Sequence, residues 1–407
     1  MKKFLLIIFL SLVLVSCDFG AEQTTKEPIV IDTDNYIEIT NVEELKNIEM
    51  NKSYILMNDL DISGEEWEPL GTYSSPYLGN FDGNGMTISN LTITMDHQHN
   101  GLFACVDGNI SNLKIIDFSI NYETELITFS GGLAGTVSGK VQNVEVDGTI
   151  SINNTKSNVY AGLLVGMAEK MYANEEFANF LPSIIVGNTA NGTIDVNAEK
   201  IVFVGGLIGK SLNSRIYENF VSSTLNAISL NNKSHVGGLI GHNYSGITSG
   251  YEEERILLNI SIYSNISNSI ITNEAQGYAS HTGGLIGYNN YGYVFNNFSK
   301  TDITASGLEN CYGYLVGEDW NSENKDSIAI GNVETLNQTD MENYFNNIYG
   351  RSYGDYSLTN SYWYSETNQD TEDSNFTLKS NLTSQAWYTE NLEWDIDFIN
   401  QIIGLIE

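Results

Sequence analysis

An apolar phrase interrupted by glycine recurs along the chain. It reads FVGGLIG at 203–209, HVGGLIG at 235–241 and HTGGLIG at 281–287. Glycine weakens a strand because it has no side chain to pack. Its repeated use inside an apolar strand pattern therefore predicts sharp bends between short strands, with leucine and isoleucine pointing into a core.

The leucine of this phrase recurs at a nearly fixed period. The anchor leucines are Leu102, Leu133, Leu164, Leu207, Leu239, Leu285 and Leu315. Their intervals are 31, 31, 43, 32, 46 and 30 residues, which indicates a period near 31 with two insertions. β-Branched residues, glycine and asparagine fill the period, as is typical of a stacked β architecture. We therefore predict an all-β fold, a right-handed parallel β-helix of about seven coils with a cap at each end.

An asparagine after each anchor indicates a second corner of the coil. These asparagines are Asn112, Asn143, Asn188, Asn219, Asn259, Asn297 and Asn332. Coils of a parallel β-helix stack about 4.8 Å apart, so equivalent residues lie above one another. We predict a hydrogen-bonded asparagine ladder, and repeat glycines that allow positive φ and close backbone approach. The structural repeat residues are Gly205, Leu207, Gly209, Gly237, Leu239, Gly241, Gly283, Leu285, Gly287, Asn112, Asn143 and Asn219.

The position four residues before each anchor predicts a column of rings. It holds Gln98, Phe129, Tyr160, Phe203, His235, His281 and Cys311. We interpret His235 and His281 as members of this stack and not as a metal pair. Cys105 and Cys311 lie six coils apart, roughly 29 Å, whereas a disulfide needs Cα atoms within about 7 Å. Both thiols are predicted to be free and buried.

The N-terminus predicts export. Residues 1–16 combine Lys2 and Lys3 with an apolar run that is too short to span a bilayer, as in a signal peptide. The sequence LVSC, ending at Cys17, resembles the lipobox of bacterial lipoproteins. That resemblance implies a lipid on Cys17 that anchors the protein to a membrane. An ordinary signal peptide and an uncleaved anchor helix are the alternatives.

The rest of the chain divides into four regions. A polar tether at 17–35 precedes an N-terminal cap and lead-in at 36–100, a repeat β-helix at 101–335, and a C-terminal coil and cap at 336–407. Asn41 and Glu44 have capping-box spacing, which predicts a short helix over the first coil. The tryptophans expected to supply bulk at the other end are Trp363, Trp387 and Trp394.

The chain is strongly acidic, with a net charge of −33 that becomes −35 when residues 1–16 are removed. Nucleic acid and anionic lipid surfaces are therefore poor partners. Basic partners, uncharged sugars and calcium stay open. We predict a monomer that binds no nucleic acid.

The flanks of the repeats resemble those of proteins that carry the GLUG motif. YILMNDLDISGEEWEPLG at 54–71, FDGNGMTISNLTI at 81–93 and GLFACVDGNISNLKI at 101–115 are similar to their lead-in. NSYWY at 360–364 and LTSQAWYTENLEWDIDF at 382–398 are similar to their close. The resemblance implies a bacterial surface or secreted protein of adhesive or unassigned role.

The sequence indicates no catalytic constellation, metal site or cofactor. His97 and His99 form a His-x-His pattern that we place in an exposed turn. Asp59 and Asp61 imitate the start of a calcium loop, but Leu70 stands where the bidentate glutamate belongs. A carboxylate pair at hydrolytic spacing stays open.

Length variation collects at one corner of the coil, in the segments 167–183, 242–255 and 318–327. Loops on one side of a rigid scaffold often carry binding function. The predicted ligand-binding residues are Tyr172, Phe177, Phe180, Tyr244, Tyr251, Glu253, Asp319 and Trp320. Insertions that are tolerated without function are the alternative.

Two functions follow. The first is a surface-exposed, outer-membrane lipoprotein that acts as a non-enzymatic adhesin or scaffold for a host protein or glycan. The second is a carbohydrate-active lyase or hydrolase with a groove along one sheet. The lack of a recognisable acid–base or metal cluster favours the first.

Overall fold

Parallel strands stacked coil upon coil make up the described part of the protein. The computed structural model describes residues 35–170, 181–245, 260–335, 342–345, 347–354, 357–368, 373–392 and 394–406. The predicted signal peptide and the lipidation site Cys17 lie outside these ranges.

Thirty-four strands and four helices are described. The strands before the first anchor are β1 (Ile37–Ile39), β2 (Tyr54–Leu56), β3 (Leu60–Asp61), β4 (Asn80–Asp82), β5 (Thr87–Ser89), β6 (Thr92–Ile93) and β7 (His99–Asn100). The next are β8 (Phe103–Val106), β9 (Asn109–Thr124), β10 (Thr128–Ser130), β11 (Ala134–Val137), β12 (Lys140–Asn154), β13 (Val159–Gly162), β14 (Val165–Glu169), β15 (Ser183–Val186), β16 (Thr189–Ala198), β17 (Val202–Gly205), β18 (Ile208–Leu212), β19 (Ser214–Tyr217), β20 (Phe220–Ser229), β21 (Ser234–Gly237) and β22 (Ile240–Tyr244). The last are β23 (Ile262–Tyr263), β24 (Ile266–Gly283), β25 (Ile286–Asn290), β26 (Tyr293–Phe295), β27 (Phe298–Gly313), β28 (Val316–Trp320), β29 (Glu323–Lys325), β30 (Ile328–Thr335), β31 (Glu342–Phe345), β32 (Tyr349–Tyr353), β33 (Ser357–Thr359) and β34 (Tyr362–Tyr364). The helices are α1 (Val42–Lys46), α2 (Lys379–Leu382), α3 (Gln385–Asn391) and α4 (Ile396–Ile406).

Two sheets wrap the core. One contains eight strands in the order β8, β11, β14, β18, β22, β25, β28 and β32, all paired in parallel. The other 26 described strands form a continuous sheet around the remaining sides. The predicted all-β solenoid with parallel coils is therefore present. Its right-handed winding stays a prediction.

The anchor leucines mark seven of the eight strands of the first sheet. Each of them is fully or almost fully buried, as predicted. An eighth coil adds β32, whose Tyr349 pairs with Val316 of β28. Ile348 therefore holds the position that Leu315 holds in the preceding coil. The sequence analysis assigned a coil to this region without an anchor, because Asn-Asn-Ile-Tyr-Gly replaces the glycine-rich phrase.

The repeat glycines serve close packing, and the prediction of positive φ at these positions is wrong. None of the six named repeat glycines has a positive φ. A Cβ on Gly209 would stand 2.6 Å from the backbone N of Ala161 in the preceding coil, and one on Gly205 would stand 2.0 Å from the carbonyl O of Ile208. Only a residue without a side chain lets the backbone segments pass at this distance.

The asparagine ladder runs along the later coils. The Nδ2 amide of Asn188 donates to Oδ1 of Asn219 over 2.9 Å, Asn219 donates to Asn265 over 2.9 Å, and Asn265 donates to Asn297 over 3.0 Å. All four side chains are buried. Asn265 therefore holds the position predicted for Asn259, which lies outside the described residues.

Three other predicted ladder members lie elsewhere. Asn112 and Asn143 have φ of 53° and form a separate column on the surface, where Asn143 donates to Asn112 over 2.8 Å. Asn332 donates to Asp302 on the outer face. The prediction placed residues of two adjacent columns in one ladder, because the residue before each buried ladder position is also a corner residue.

The N-terminal helix α1 agrees with its prediction. Oδ1 of Asn41 accepts from the backbone N of Glu44 over 3.0 Å, and Leu45 is buried. The Glu44 carboxylate accepts from the backbone N of Thr40 over 2.7 Å, one residue earlier than in a standard capping box.

The C-terminal helices cover a flank of the coils and not their end. Trp394 and residues of α3 and α4 form one apolar cluster with Ile266, Phe298 and Ile328. These three outward-facing residues are aligned in β24, β27 and β30. Of the three predicted capping tryptophans, only Trp363 enters the main core. No helix among the described residues is long and apolar enough to cross a membrane.

Candidate binding edge

The candidate binding edge lies at the corner where each strand of the eight-stranded sheet ends. In the fourth coil a single residue, Asn213 with φ of 54°, makes this corner between β18 and β19. The backbone N of Lys170 donates to the O of Leu212, and that of Ser245 donates to the O of Asn290. Lys170 and Ser245 thus occupy the same corner in their own coils. The described residues that precede both long insertions therefore lie at this corner, as predicted.

Five predicted ligand-binding residues lie in these insertions, outside the described residues: Tyr172, Phe177, Phe180, Tyr251 and Glu253. The third predicted loop, 318–327, is wrong as a loop, because β28 and β29 continue the coil through it.

Tyr244 and Trp320 lie on this edge. They align through Asn290 on the rungs of β22, β25 and β28. The Trp320 indole is 38% exposed and packs on Tyr353 of the next coil, with ring centroids 4.8 Å apart. Both residues are therefore placed where a ligand at the corner could reach them.

Asp319 is not a surface ligand contact, so this prediction is wrong. It is fully buried, and its carboxylate accepts from Nδ2 of Asn289 over 2.9 Å and from Nδ2 of Asn324 over 3.2 Å. Burial raises the pKa of Asp319 to about 7, against the effect of these hydrogen bonds. Successive side chains of a strand point to opposite faces, so Asp319 and its neighbour Trp320 cannot share a role.

A stacked aromatic ladder lies just past the corner and was missed by the sequence analysis. The rings of Tyr217 and Tyr263 are 4.8 Å apart and tilted by 4°, and those of Tyr263 and Phe295 have the same spacing and tilt. The guanidinium of Arg215 lies 4.7 Å from the centre of the Tyr217 ring, and its Nη2 donates to the Tyr263 hydroxyl over 2.6 Å. All four side chains are partly exposed.

The signal for this ladder is present in the sequence. Tyr217, Tyr263 and Phe295 each stand two residues before a buried ladder asparagine. Because the period of a strand is two, a side chain two residues before a corner lies at a fixed orientation in every coil. Stacking on a repeat of about 4.8 Å then follows from the rung spacing.

A second ring column follows the prediction with one shift. Phe129, Tyr160 and Phe203 stack at 4.6 Å, and Phe203 stacks on His235 at 5.2 Å. His99 takes the place predicted for Gln98 and stacks on Phe129 at 4.7 Å.

Two predictions at the start of this column are wrong. Gln98 is a corner residue with φ of 68°, and not a member of the stack. His99 does not lie in an exposed turn: it is buried, its Nδ1 lies 3.0 Å from Oγ1 of Thr136, and burial lowers its pKa to about 4.

The two described cysteines are buried thiols, as predicted. Burial raises the pKa of Cys105 to about 12 and also raises that of Cys311. Both thiols therefore stay protonated at neutral pH while they carry no ligand. Since the thiolate is the nucleophilic form, neither is an activated nucleophile.

Comparisons with known proteins give partial matches. No family model matches the chain, so the GLUG resemblance stays a prediction. Halomucin of Haloquadratum walsbyi is 31% identical over 134 residues, and a "Putative Gly-rich membrane protein" of Evansella cellulosilytica is 29% identical over 133 residues. These matches cover 29% and 31% of this chain, and 1% and 15% of the relatives.

One solved structure covers most of the chain. It is described as a "putative immunoglobulin A1 protease" from Bacteroides ovatus, with 16% identity and a TM-score of 0.42. The alignment covers 79% of this chain and 85% of that one. A likeness of this size carries no inference about activity.

Proposed function

We propose that this protein is a non-enzymatic binding scaffold of the bacterial cell surface, held by lipid on Cys17 at the outer membrane. Its ligand, a host protein or a glycan, docks along the edge formed by Arg215, Tyr217, Tyr263 and Phe295.

The observation that carries the proposal is the rigid aromatic ladder at the variable corner. Tyrosine offers a large apolar surface with a polar tip, and it loses little conformational entropy on binding. Stacking and the hydrogen bond from Arg215 to Tyr263 hold the rings in place before a ligand arrives. Such preorganisation lowers the cost of association.

The chemistry of the edge suits an amphipathic partner. Arg215 supplies a cation with several hydrogen-bond donors within an otherwise acidic chain. The two insertions begin after Lys170 and Ser245, which occupy the corner that precedes the ladder strands. Loops on a rigid scaffold are common carriers of recognition.

The envelope location rests on the lipobox resemblance at Cys17 and is supported by the similarity to the "Putative Gly-rich membrane protein" of Evansella cellulosilytica. Protease treatment of intact cells tests it. Loss of the protein from unpermeabilised cells is the expected result, and full protection would contradict surface exposure.

Ring substitutions test the ladder. We would measure binding of the purified protein to a panel of matrix proteins and glycans, and compare Tyr217→Ala/Tyr263→Ala with Tyr278→Ala. Tyr278 is 50% exposed and lies in β24, away from the ladder. We expect the double variant to lose at least about tenfold in affinity, since aromatic anchors carry much of the energy of an interface. Equal losses in both variants would refute the edge.

Loop deletions test the corner as a whole. Ser183 pairs with Ser214, which follows the one-residue corner of the fourth coil at Asn213. Removing 171–182 would therefore join Lys170 directly to β15 and give the third coil the same one-residue corner. Removing 246–259 would join Ser245 to Ile260, and an asparagine at 170 and 245 would supply the positive φ that Asn213 shows. Unchanged binding by the folded double deletion would leave only the rings as candidates. Release of reducing ends or unsaturated products from a glycan would instead indicate the enzyme.

A further inference from the structure

Three buried side chains with metal-binding atoms converge near the last coils. His281 lies in β24, Cys311 in β27 and Glu318 in β28, and none is more than 3% exposed. The ring nitrogen, the sulfur and a carboxylate oxygen all lie within 4.8 Å of one another. The two sheets bring them together: His281 and Cys311 share a rung position, and Glu318 faces them from the eight-stranded sheet.

Two of the three separations match those of ligands around a tetrahedral ion, and the third is at most 4.8 Å. Nε2 of His281 lies 3.3 Å from Oε2 of Glu318, and Sγ of Cys311 lies 3.4 Å from the same oxygen. Ligands bound to zinc at about 2.0–2.3 Å in a tetrahedron are separated by roughly 3.3–3.8 Å. Little movement is therefore needed to place an ion among them.

The His281 ring departs from the aromatic stack at this point. Neighbouring rings from His99 to His235 are tilted by 9°, 17°, 18° and 21°. The His281 ring is tilted by 53° to that of His235, and the two Nδ1 atoms lie 3.3 Å apart. With Nδ1 engaged by His235, the buried Nε2 is left to face the carboxylate of Glu318. A metal-ligating histidine commonly donates its other N–H in this way.

The charges of the cluster balance when a divalent ion is added. Arg351 pairs with both Glu309 and Glu318, and its Nε donates to Oε2 of Glu318 over 2.9 Å. Two carboxylates and one guanidinium leave a charge of minus one. A divalent cation together with an ionised Cys311 thiolate brings the total to zero. Trp320 donates to the other carboxylate oxygen over 3.0 Å and fixes its direction.

We propose that His281, Cys311 and Glu318 bind one divalent cation of the zinc class through Nε2, Sγ and a carboxylate oxygen. Nitrogen, thiolate and carboxylate are the donor set that zinc accepts in proteins. Binding releases the thiol proton to solvent, and the fourth position is left to water. Arg351 then shares the Glu318 carboxylate with the ion. This site shares none of the ladder residues Arg215, Tyr217, Tyr263 and Phe295, although Trp320 at the edge contacts Glu318.

Metal titration of the chelator-treated, full-length protein tests the site. We expect one equivalent of Co²⁺ to bind with a thiolate charge-transfer absorption, and Zn²⁺ to displace it. Cys311→Ser should lose the absorption, whereas Cys105→Ser, the matched buried thiol, should retain it. Glu318→Gln should weaken binding about 10-fold or more. Lack of the absorption in the wild type, or its survival in Cys311→Ser, would overturn the proposal.

A measurement on the unaltered chain guards against misfolded variants. Zinc should slow the alkylation of Cys311 at least about tenfold, in step with its occupancy, and leave Cys105 unchanged. Mass spectrometry of the labelled peptides separates the two cysteines. Equal protection of both thiols would indicate a general effect on folding and would count against the site.

Discussion

The side-chain amide of Asn289 donates to Oδ1 of Asp319 over 2.9 Å, so a buried row of asparagines ends on a carboxyl group. The row begins at Asn243, which donates to Asn289 over the same distance. An amide at the end of this row would be neutral at every pH. A buried carboxyl group is neutral only when protonated, and its ionised form has a high desolvation cost. The end of the row is therefore a part of the core that responds to pH.

The contribution of Asp319 to folding stability should fall as pH rises toward neutrality. Burial raises its pKa to about 7 in the folded state, against about 3.9 in the unfolded chain. The stabilisation is complete below about pH 4 and is lost as pH rises through about 7, by up to about 4 kcal/mol. Chemical denaturation of the wild type and of Asp319→Asn between pH 4 and 8 measures this loss as a difference, because buried His99, with its pKa lowered to about 4, changes stability in the opposite direction.

Asp319→Asn should remove that part of the pH dependence. Oδ1 of Asn324 has no hydrogen-bond partner, so rotation of this amide would provide an acceptor for the new side chain. The variant should be at least as stable as the wild type at pH 8. Parallel stability curves for the two proteins would show that Asp319 does not titrate in this range.

Asn219→Ala should destabilise the coils strongly. It removes the Oδ1 atom that accepts from both the backbone N and Nδ2 of Asn188, and it leaves Oδ1 of Asn265 with the backbone N of residue 219 but without the side-chain donor. The expected cost is about 3 kcal/mol, measured by the shift in denaturation midpoint. Asn143→Gly is the control, because Asn143 is exposed and glycine tolerates its φ of 53°. Similar costs for the two changes would argue against the buried ladder.

Gly209→Ala should be among the most damaging small substitutions. The added methyl group would stand 2.6 Å from the Ala161 backbone, and no side chain can move to relieve the contact. We expect a loss of about 3 kcal/mol or more, by analogy with overpacked cores. Gly404→Ala should stabilise the protein by up to about 1 kcal/mol, because it lies in α4 with open space around it. Thermal unfolding of both variants makes the comparison.

Trp394→Ala should loosen the C-terminal helices and leave the first coils unchanged. Its ring packs between Tyr388 and Phe398, with centroids 5.5 and 5.0 Å away. Amide hydrogen exchange should become faster in α3 and α4. Trp320→Ala, at the exposed edge, should leave their exchange rates as in the wild type. Faster exchange throughout the protein would indicate that the helices are part of one cooperative unit.

The period could be predicted from the sequence because each coil repeats the same packing problem. Leu207 and Leu239 fill the same core position in successive coils, so the register can be identified from the sequence. The anchor of the last coil was not recognised, because Ile348 fills the equivalent position within a different sequence phrase. Asn259 and Asn265 both follow an apolar residue and a spacer, and only strand pairing decides which of them lies in the ladder.

The residues of the candidate sites could be predicted only in part, because some of them are brought together by folding and not by their positions in the repeat. Neighbours in one column, such as His281 and Cys311, follow from the register alone. Glu318 lies near them only because the chain turns from one sheet to the other between Cys311 and Glu318. The number of residues between these two positions does not determine the angle of that turn. Trp320 was placed correctly and Asp319 was not, because treating 318–327 as a loop discarded the alternation of the strand.

The buried asparagine amides all point toward the following coil, from Asn188 to Asn219 to Asn265. Excision of one repeat, residues 206–237, would bring the donor of Asn188 to the acceptor of Asn265 without a mismatched rung. Duplication of a repeat would be equally neutral. Loss or gain of a coil could thus change the reach of the protein in steps of about 4.8 Å while the stacking of the remaining coils is preserved.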